Sequence, residues 1–177
     1  MSTINWALDP THSEVGFKIR HMMFSNVSGK FDEINATAVA DGDSLEDAKI
    51  SFTAKTSSIN TGNADRDTHL KSADFFDAET NPEVTFESTS FKSIDDNTFE
   101  LKGNLNMHGI SNPVTLNVEF GGIGKDPWGN IKSAFSVTGK LNRKEWGLNW
   151  NAALEAGGVL VSDEVRIECE IQMVKQA

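Results

Sequence analysis

A single cysteine, Cys169, stands in a chain of 177 residues. No internal disulfide can form, and nothing in the chain calls for an oxidising compartment. Basic residues are also scarce, with 16 Lys and Arg against 26 Asp and Glu and a formal net charge of −10 spread along the whole sequence. Clustered Lys and Arg are what hold phosphate backbones, so no nucleic acid is expected as a partner. No apolar run approaches the length of a bilayer span, which excludes an integral membrane segment of helical type. The opening MSTINWALDP lacks a basic n-region and an apolar h-region. The expectation is a cytoplasmic protein, or a periplasmic one if a leader was removed before residue 1.

Catalytic and metal signatures are missing too. The four histidines, His12, His21, His69 and His108, form no HxH or HExxH pair, and Cys169 falls on an apolar row where it behaves as a small hydrophobe. No metal, cofactor or catalytic set is expected. There is no GxSxG elbow, and Gly121-Gly122-Ile123-Gly124 lacks the lysine and following helix of a phosphate loop, so it reads as a flexible connection. The acid pairs Asp41/Asp43 and Asp95-Asp96 sit in turns, as solvated caps do.

What the chain has in quantity is alternation. Phe99, Leu101, Leu105 and Met107 share one face with Gly103, while Glu100, Lys102, Asn104 and Asn106 take the other. Val114, Leu116, Val118 and Phe120 repeat the pattern, and His108 to Pro113 between them supplies turn formers, so Phe99–Phe120 reads as an antiparallel hairpin. Similar rows occur at Val15–Ile19, Ile50–Ala54, Val84–Ser88, Ile131–Leu141 and Val165–Met173, with one long, weakly patterned strand expected over Val27–Val39. Met22-Met23-Phe24 breaks alternation and reads as a corner or bulge. Residues 63–73 are the exception: Asn63 is an N-cap candidate before helix formers, predicting a short helix. Arg143–Leu154 fits either a short strand or a turn of helix.

The fold class is therefore all-β, in one domain over residues 1–177: an extended antiparallel barrel of about eight strands with a short helix, closed because closure removes exposed edges. The inward rows carry Ser88, Gly103, Ser133, Gly139 and Cys169 among large residues. These either leave a cavity or fit the taper of a filled barrel, and the pattern leaves both open. A cavity here would be apolar. Phe17, Phe31, Phe52, Phe86, Phe120 and Phe135, with Leu101, Leu105, Leu116 and Val118 of the hairpin, offer dispersion contacts to a long hydrocarbon.

Four linked blocks carry a family resemblance: DPTHSEVGFKIRH with SGKF, NADRDTHLKSADFFDAETNPEVTFES, LKGNLNMHGISNPVTLNVEF and RKEWGLNW. In this order, over nearly the whole chain, they resemble the YceI family of polyisoprenoid-binding-like proteins. The resemblance implies a lipocalin-like barrel holding a long-chain isoprenoid or fatty-acid-like lipid, with no catalysis established for the family. It adds Arg66, Asp67, His69, Leu70, Phe75, Phe76 and Trp146 to the candidate ligand-binding residues. Arg66, Asp67 and His69 could meet a polar head group at the mouth; an ion pair of Arg66 that only seats the helix is the equal alternative. An enzyme acting on an apolar substrate, with His69 and Asp67 as acid and base, is the second reading. A scaffold for partner contacts is the third. The long strands are compatible with a homodimer.

Overall fold

The structure, a computed structural model, describes residues 3–42, 44–152, 154 and 160–177. Asp43, one of the turn acids, and Ala153, in the ambiguous Arg143–Leu154 stretch, lie outside the described residues. The strands are β1 (Thr3–Leu8), β2 (Glu14–His21), β3 (Ser25–Phe31), β4 (Ile34–Asp41), β5 (Lys49–Lys55), β6 (Ile59–Asn60), β7 (Glu83–Ser93), β8 (Thr98–Met107), β9 (Ile110–Lys125), β10 (Ile131–Asn142) and β11 (Val161–Lys175). One helix, α1 (Ala64–Lys71), stands between β6 and β7. The sheet closes through β1 and β11, and its pairings are antiparallel.

Eleven strand segments make an eight-stranded barrel because three ribbons of the wall are broken once each. Both β1 and β2 lie along β11, Trp6–Leu8 against Met173–Lys175 and Glu14–His21 against Val161–Glu170. The next ribbon repeats this, with β4 on β1 and β3 on β2, and β5 and β6 then pair with β4 and β3. The breaks are the 3-10 turn Pro10–His12, a bend at Asp32 and Glu33, and the 3-10 turn Thr56–Ser58. The last two face each other. Asp32 N donates to Ser58 O and Lys55 N to Glu33 O, both at 3.0 Å. The single strand expected over Val27–Val39 is thus two strands, β3 and β4, and its weak patterning reflects the bend between them.

The Phe99–Phe120 hairpin is β8 and β9, joined by a turn shorter than expected. Only His108 and Gly109 are in it, at φ 57° and 75°, the two left-handed residues that a type I′ turn requires. Pro113 belongs to the strand, opposite Asn104. Counting from the turn, that pair is a non-hydrogen-bonded one, so the ladder asks no N–H of residue 113. The expected glycine-rich connection is also mostly strand: β9 runs on through Gly121–Gly124, and the register shift between Ala134 and Phe135 leaves Gly121 as the extra residue of a bulge. The turn proper is Asp126–Asn130, where the Asp126 carboxylate accepts from the backbone of Trp128 and Asn130.

Met22-Met23-Phe24 forms the loop of the β2–β3 hairpin, with Met22 and Met23 at positive φ and Phe24 83% exposed. Asn63 caps α1 as expected, its Oδ1 accepting from Arg66 N at 3.0 Å, and the helix ends at Lys71. The Arg143–Leu154 ambiguity resolves as a 3-10 turn over Arg143–Trp146, stopped by Gly147 in the left-handed region. Trp146 is fully buried beneath the β8–β9 hairpin. Its indole N–H donates to Leu105 O at 2.9 Å, and its own carbonyl lies 3.0 Å from His108 Nδ1.

Candidate functional site

The inward rows of the barrel enclose a cavity of about 220 Å³. Its wall is apolar almost throughout. From the residues expected there, Phe31, Phe52, Phe86, Leu101, Leu105, Leu116, Val118 and Phe135 are on it. Sequence reasoning missed Ala40, which with Ala36 and Ala38 puts short side chains on the β4 side, as well as Leu45 and Ala48 of the β4–β5 connection. The alternation of Ala36, Ala38 and Ala40 along β4 was the signal that these three face inward.

Other expected lining residues have different neighbours. Phe17 packs on Phe31 at 6.0 Å between ring centres, and Phe120 on Phe135 at 5.4 Å, each behind a residue that does reach the cavity. Trp146 is part of the core under the hairpin rather than the cavity wall. Gly103 does not leave open space. A Cβ there would overlap the ring of Phe86 and the carbonyl of Glu87, so the room that the glycine makes is taken by Phe86. Gly139 stands in the same relation to Leu116, and Gly29 to Phe17.

The helical end of the barrel carries the aromatics. Phe76 meets Phe31 edge-on at 6.0 Å, while His69, Phe75 and Trp150 form a three-ring cluster with centres 4.7 to 5.4 Å apart. Leu70 packs against the core from α1. Arg66 and Asp67 both bind one residue, Thr61. Asp67 Oδ1 accepts from Thr61 N at 2.9 Å and from its hydroxyl, while Arg66 Nε donates to Thr61 Oγ1 at 2.7 Å and Nη2 to Thr61 O at 2.8 Å. The two side chains therefore seat the helix, through Thr61 rather than through the ion pair weighed from sequence. His69 Nε2 lies 2.9 Å from Asp74 Oδ2, while Asp67 is held by Thr61, so the two residues weighed as acid and base have different partners.

Arg143 is a further charged group that the sequence did not single out. It is 3% exposed, and its guanidinium donates to the carbonyls of Ser162 (2.9 Å), Leu148 and Val161. Burial lowers its pKa, partly offset by Asp163. Five donors in a fixed fork suit a site with several carbonyls, and here they tie the chain after β10 to the start of β11.

Two side chains on the cavity wall depart from hydrocarbon in a way that matters. Cys169 is buried, and desolvation pushes its thiol up to about 11, so it stays protonated and inert near neutrality. Ser133 is 1% exposed and its Oγ has no hydrogen-bond partner among the described residues. An orphaned hydroxyl of this kind costs about 1–3 kcal/mol. Outside the barrel, a groove of about 590 Å³ runs where the β9–β10 ladder stops at Asn117 and Thr138. Its volume is larger, but it is more open and mixes apolar residues with Glu100, Lys140, Arg166 and Glu168, so the almost wholly apolar and more enclosed interior is the better-formed site. Among the described residues no three His, Cys, Asp or Glu side chains converge as a metal site, and no helix is long and apolar enough to cross a membrane.

Residues 6–173 match the YceI-like domain family. A UPF0312 protein of Staphylococcus aureus is 39% identical over 169 residues, covering 95% of this chain and 96% of its own length. Among solved structures, the YCEI protein of Campylobacter jejuni superposes with a TM-score of 0.78 at 33% identity, covering 96% of this chain and 97% of that one. BcnA of Burkholderia cenocepacia reaches 0.81 at 21% identity, over 93% and 98% of the two chains, and so shares the fold. A polyisoprenoid-binding domain from Saccharophagus degradans has a TM-score of 0.67 at 14% identity, over 97% and 98%, again a likeness of fold.

Proposed function

The chain belongs to the YceI-like family, and from that premise we propose that it binds a long-chain amphipathic lipid inside the barrel and carries or sequesters it. The observation that carries the reading is the enclosed cavity walled by aromatic and aliphatic side chains. The lipid class is a polyisoprenoid, an isoprenoid quinone or a similar chain, and the polyisoprenoid-binding domain of like fold supports it.

Magnitudes favour a long ligand. Each buried methylene is worth ~0.8 kcal/mol, while association costs ~4–15 kcal/mol in lost freedom. A short hydrocarbon falls inside that cost; a chain of ten or more carbons exceeds its lower end. At about 220 Å³ the cavity is smaller than the ~300–1,000 Å³ of common ligand pockets. A long chain therefore occupies it by moving side chains on the wall, and Met107 and Met173, with three rotatable bonds each, are suited to give way. No observation favours the enzymatic reading, since Asp67 and His69 have separate partners.

Native mass spectrometry of the full chain, purified without detergent, tests the proposal. One lipid per chain is expected, or stoichiometric uptake of an isoprenoid quinone when it is added. Absence of bound lipid together with refusal of isoprenoid quinones and fatty acids would sink it.

A further inference from the structure

The chemistry of the cavity wall sets which end of a ligand goes in first. Ser133 lies on the inward row of β10, opposite Met173 of β11 and Ile123 of β9. Met173 joins Trp6, Leu8 and Ala36 in a small core cluster at the barrel end away from α1. Among the described residues the wall there has no Lys, Arg, His, Asp or Glu, and Ser133 carries its one hydroxyl. That hydroxyl is buried, and it has no hydrogen-bond partner among the described residues.

At the helical end the situation is reversed. Arg66 and Asp67, which could have held a head group, are both engaged by Thr61, and His69 is engaged by Asp74 and two aromatic rings. Among the described residues, Arg66, Asp67 and His69 each have a partner at this end, whereas Ser133, inside, has none.

Resting on the lipid-binding reading, we propose that Ser133 is a hydrogen-bonding subsite for the oxygen of an uncharged lipid, an alcohol or a ketone-type carbonyl. The ligand is held polar end inward against the Trp6–Met173 cluster, with its tail running toward Met107 and Leu141. A hydroxyl can serve as donor to a carbonyl or acceptor from an alcohol, so either ligand satisfies it. A carboxylate or phosphate is excluded from this position, because the wall has no cation to compensate a desolvated charge. The orphaned hydroxyl gains a partner only in the complex, which makes it a specificity element rather than a support of the fold.

The test compares three ligands of one chain length by isothermal titration of the full chain: farnesol, farnesyl phosphate and the hydrocarbon farnesene. Farnesol is expected to bind roughly five- to tenfold more tightly than farnesene, the worth of one hydrogen bond, and more tightly than farnesyl phosphate. In Ser133→Ala the advantage of the alcohol over farnesene disappears, and the unfolding midpoint without ligand is equal to wild type or higher. Equal affinities of farnesol and farnesene for wild type, tighter binding of the phosphate, an advantage that survives in Ser133→Ala, or a fall in the variant's midpoint would each overturn the subsite while leaving lipid binding intact. Failure of all three ligands to bind overturns the lipid reading itself, and the subsite with it. The wild-type comparison decides without any variant.

Discussion

The ring of Phe86 on β7 occupies the place that a side chain on residue 103 of β8 would take, so that Gly103 and Phe86 share one position on the inner wall. The same device recurs twice around the barrel, with Phe17 over Gly29 and the tip of Leu116 over Gly139. Each pairs a large residue on one strand with an absent side chain on the next, which preserves wall packing where two large residues would collide.

The three glycines are not equally replaceable, and this gives a first prediction. A Cβ on Gly103 overlaps the backbone carbonyl of Glu87 as well as the Phe86 ring, and the carbonyl belongs to the ladder. At Gly139 the only overlap is with Leu116 Cδ2, the far end of a side chain that can rotate. Gly103→Ala is expected to cost about 3 kcal/mol and Gly139→Ala less than about 1, in the range of overpacking. Urea unfolding midpoints of the two variants check the order; a Gly139→Ala loss as large as that of Gly103→Ala contradicts it.

Acid is predicted to loosen the first break of the barrel wall. Asp9 Oδ2 accepts from Lys132 Nζ at 2.7 Å and lies 2.9 Å from His12 Nδ1, and Thr11 donates to the other oxygen. The Lys132 ammonium, chief among these, holds the carboxyl far below its ordinary 3.8. A carboxyl whose pKa falls on folding contributes stability above its unfolded value and loses it as the pH drops through the folded one. The stability gap between wild type and Asp9→Asn should thus be steady at pH 5–7, at about 1–2 kcal/mol after allowing for solvent screening, and close below pH ~4. A gap that widens on acidification would refute the assignment.

Cys169 supplies the opposite sign at alkaline pH. Burial lifts its thiol from 9.0 to about 11, so the unfolded chain ionises first as the pH rises. The related stability is present below pH 9 and is lost on the way to 11, by about 2–3 kcal/mol over two units. Cys169→Ala is expected to lack this decline. A disulfide reagent at pH 8 should leave the native thiol almost unmodified and label it promptly in urea, and prompt native labelling would show the thiolate to be accessible.

How much of this was legible beforehand follows from what alternation can and cannot encode. The rows Leu101–Met107, Val114–Phe120 and Val165–Met173 announced strands, and Asn63 announced the helix, because a local pattern decides both. The break between β3 and β4 was not legible, since Asp32 and Glu33 look like any polar pair until β2 and β1 claim the two halves separately. Pro113 and Gly121–Gly124 misled for a related reason: a residue's turn preference yields to the ladder when its missing donor or extra residue falls on a tolerant position. At the site, parity put Phe31, Phe52, Phe86 and Phe135 on the wall correctly. It could not tell that Phe17 and Phe120 stand behind other rings, that Arg66 and Asp67 are taken up by Thr61, or that Ser133 has no partner, because each of these depends on which strand lies next door.

The three broken ribbons are neighbours, while β7 to β11 run without interruption beside them. The barrel accordingly has a back and a front. Continuous ladders such as β10 with β11, paired from Lys132 to Asn142, make a stiff spine. Opposite it, the chain is jointed at one height by Pro10–His12, Asp32–Glu33 and Thr56–Ser58, so that the upper and lower courses of the front can tilt against each other at the cost of few hydrogen bonds. Any change in the girth of the barrel would thus fall on the joints, where few hydrogen bonds are at stake, while the spine kept its register.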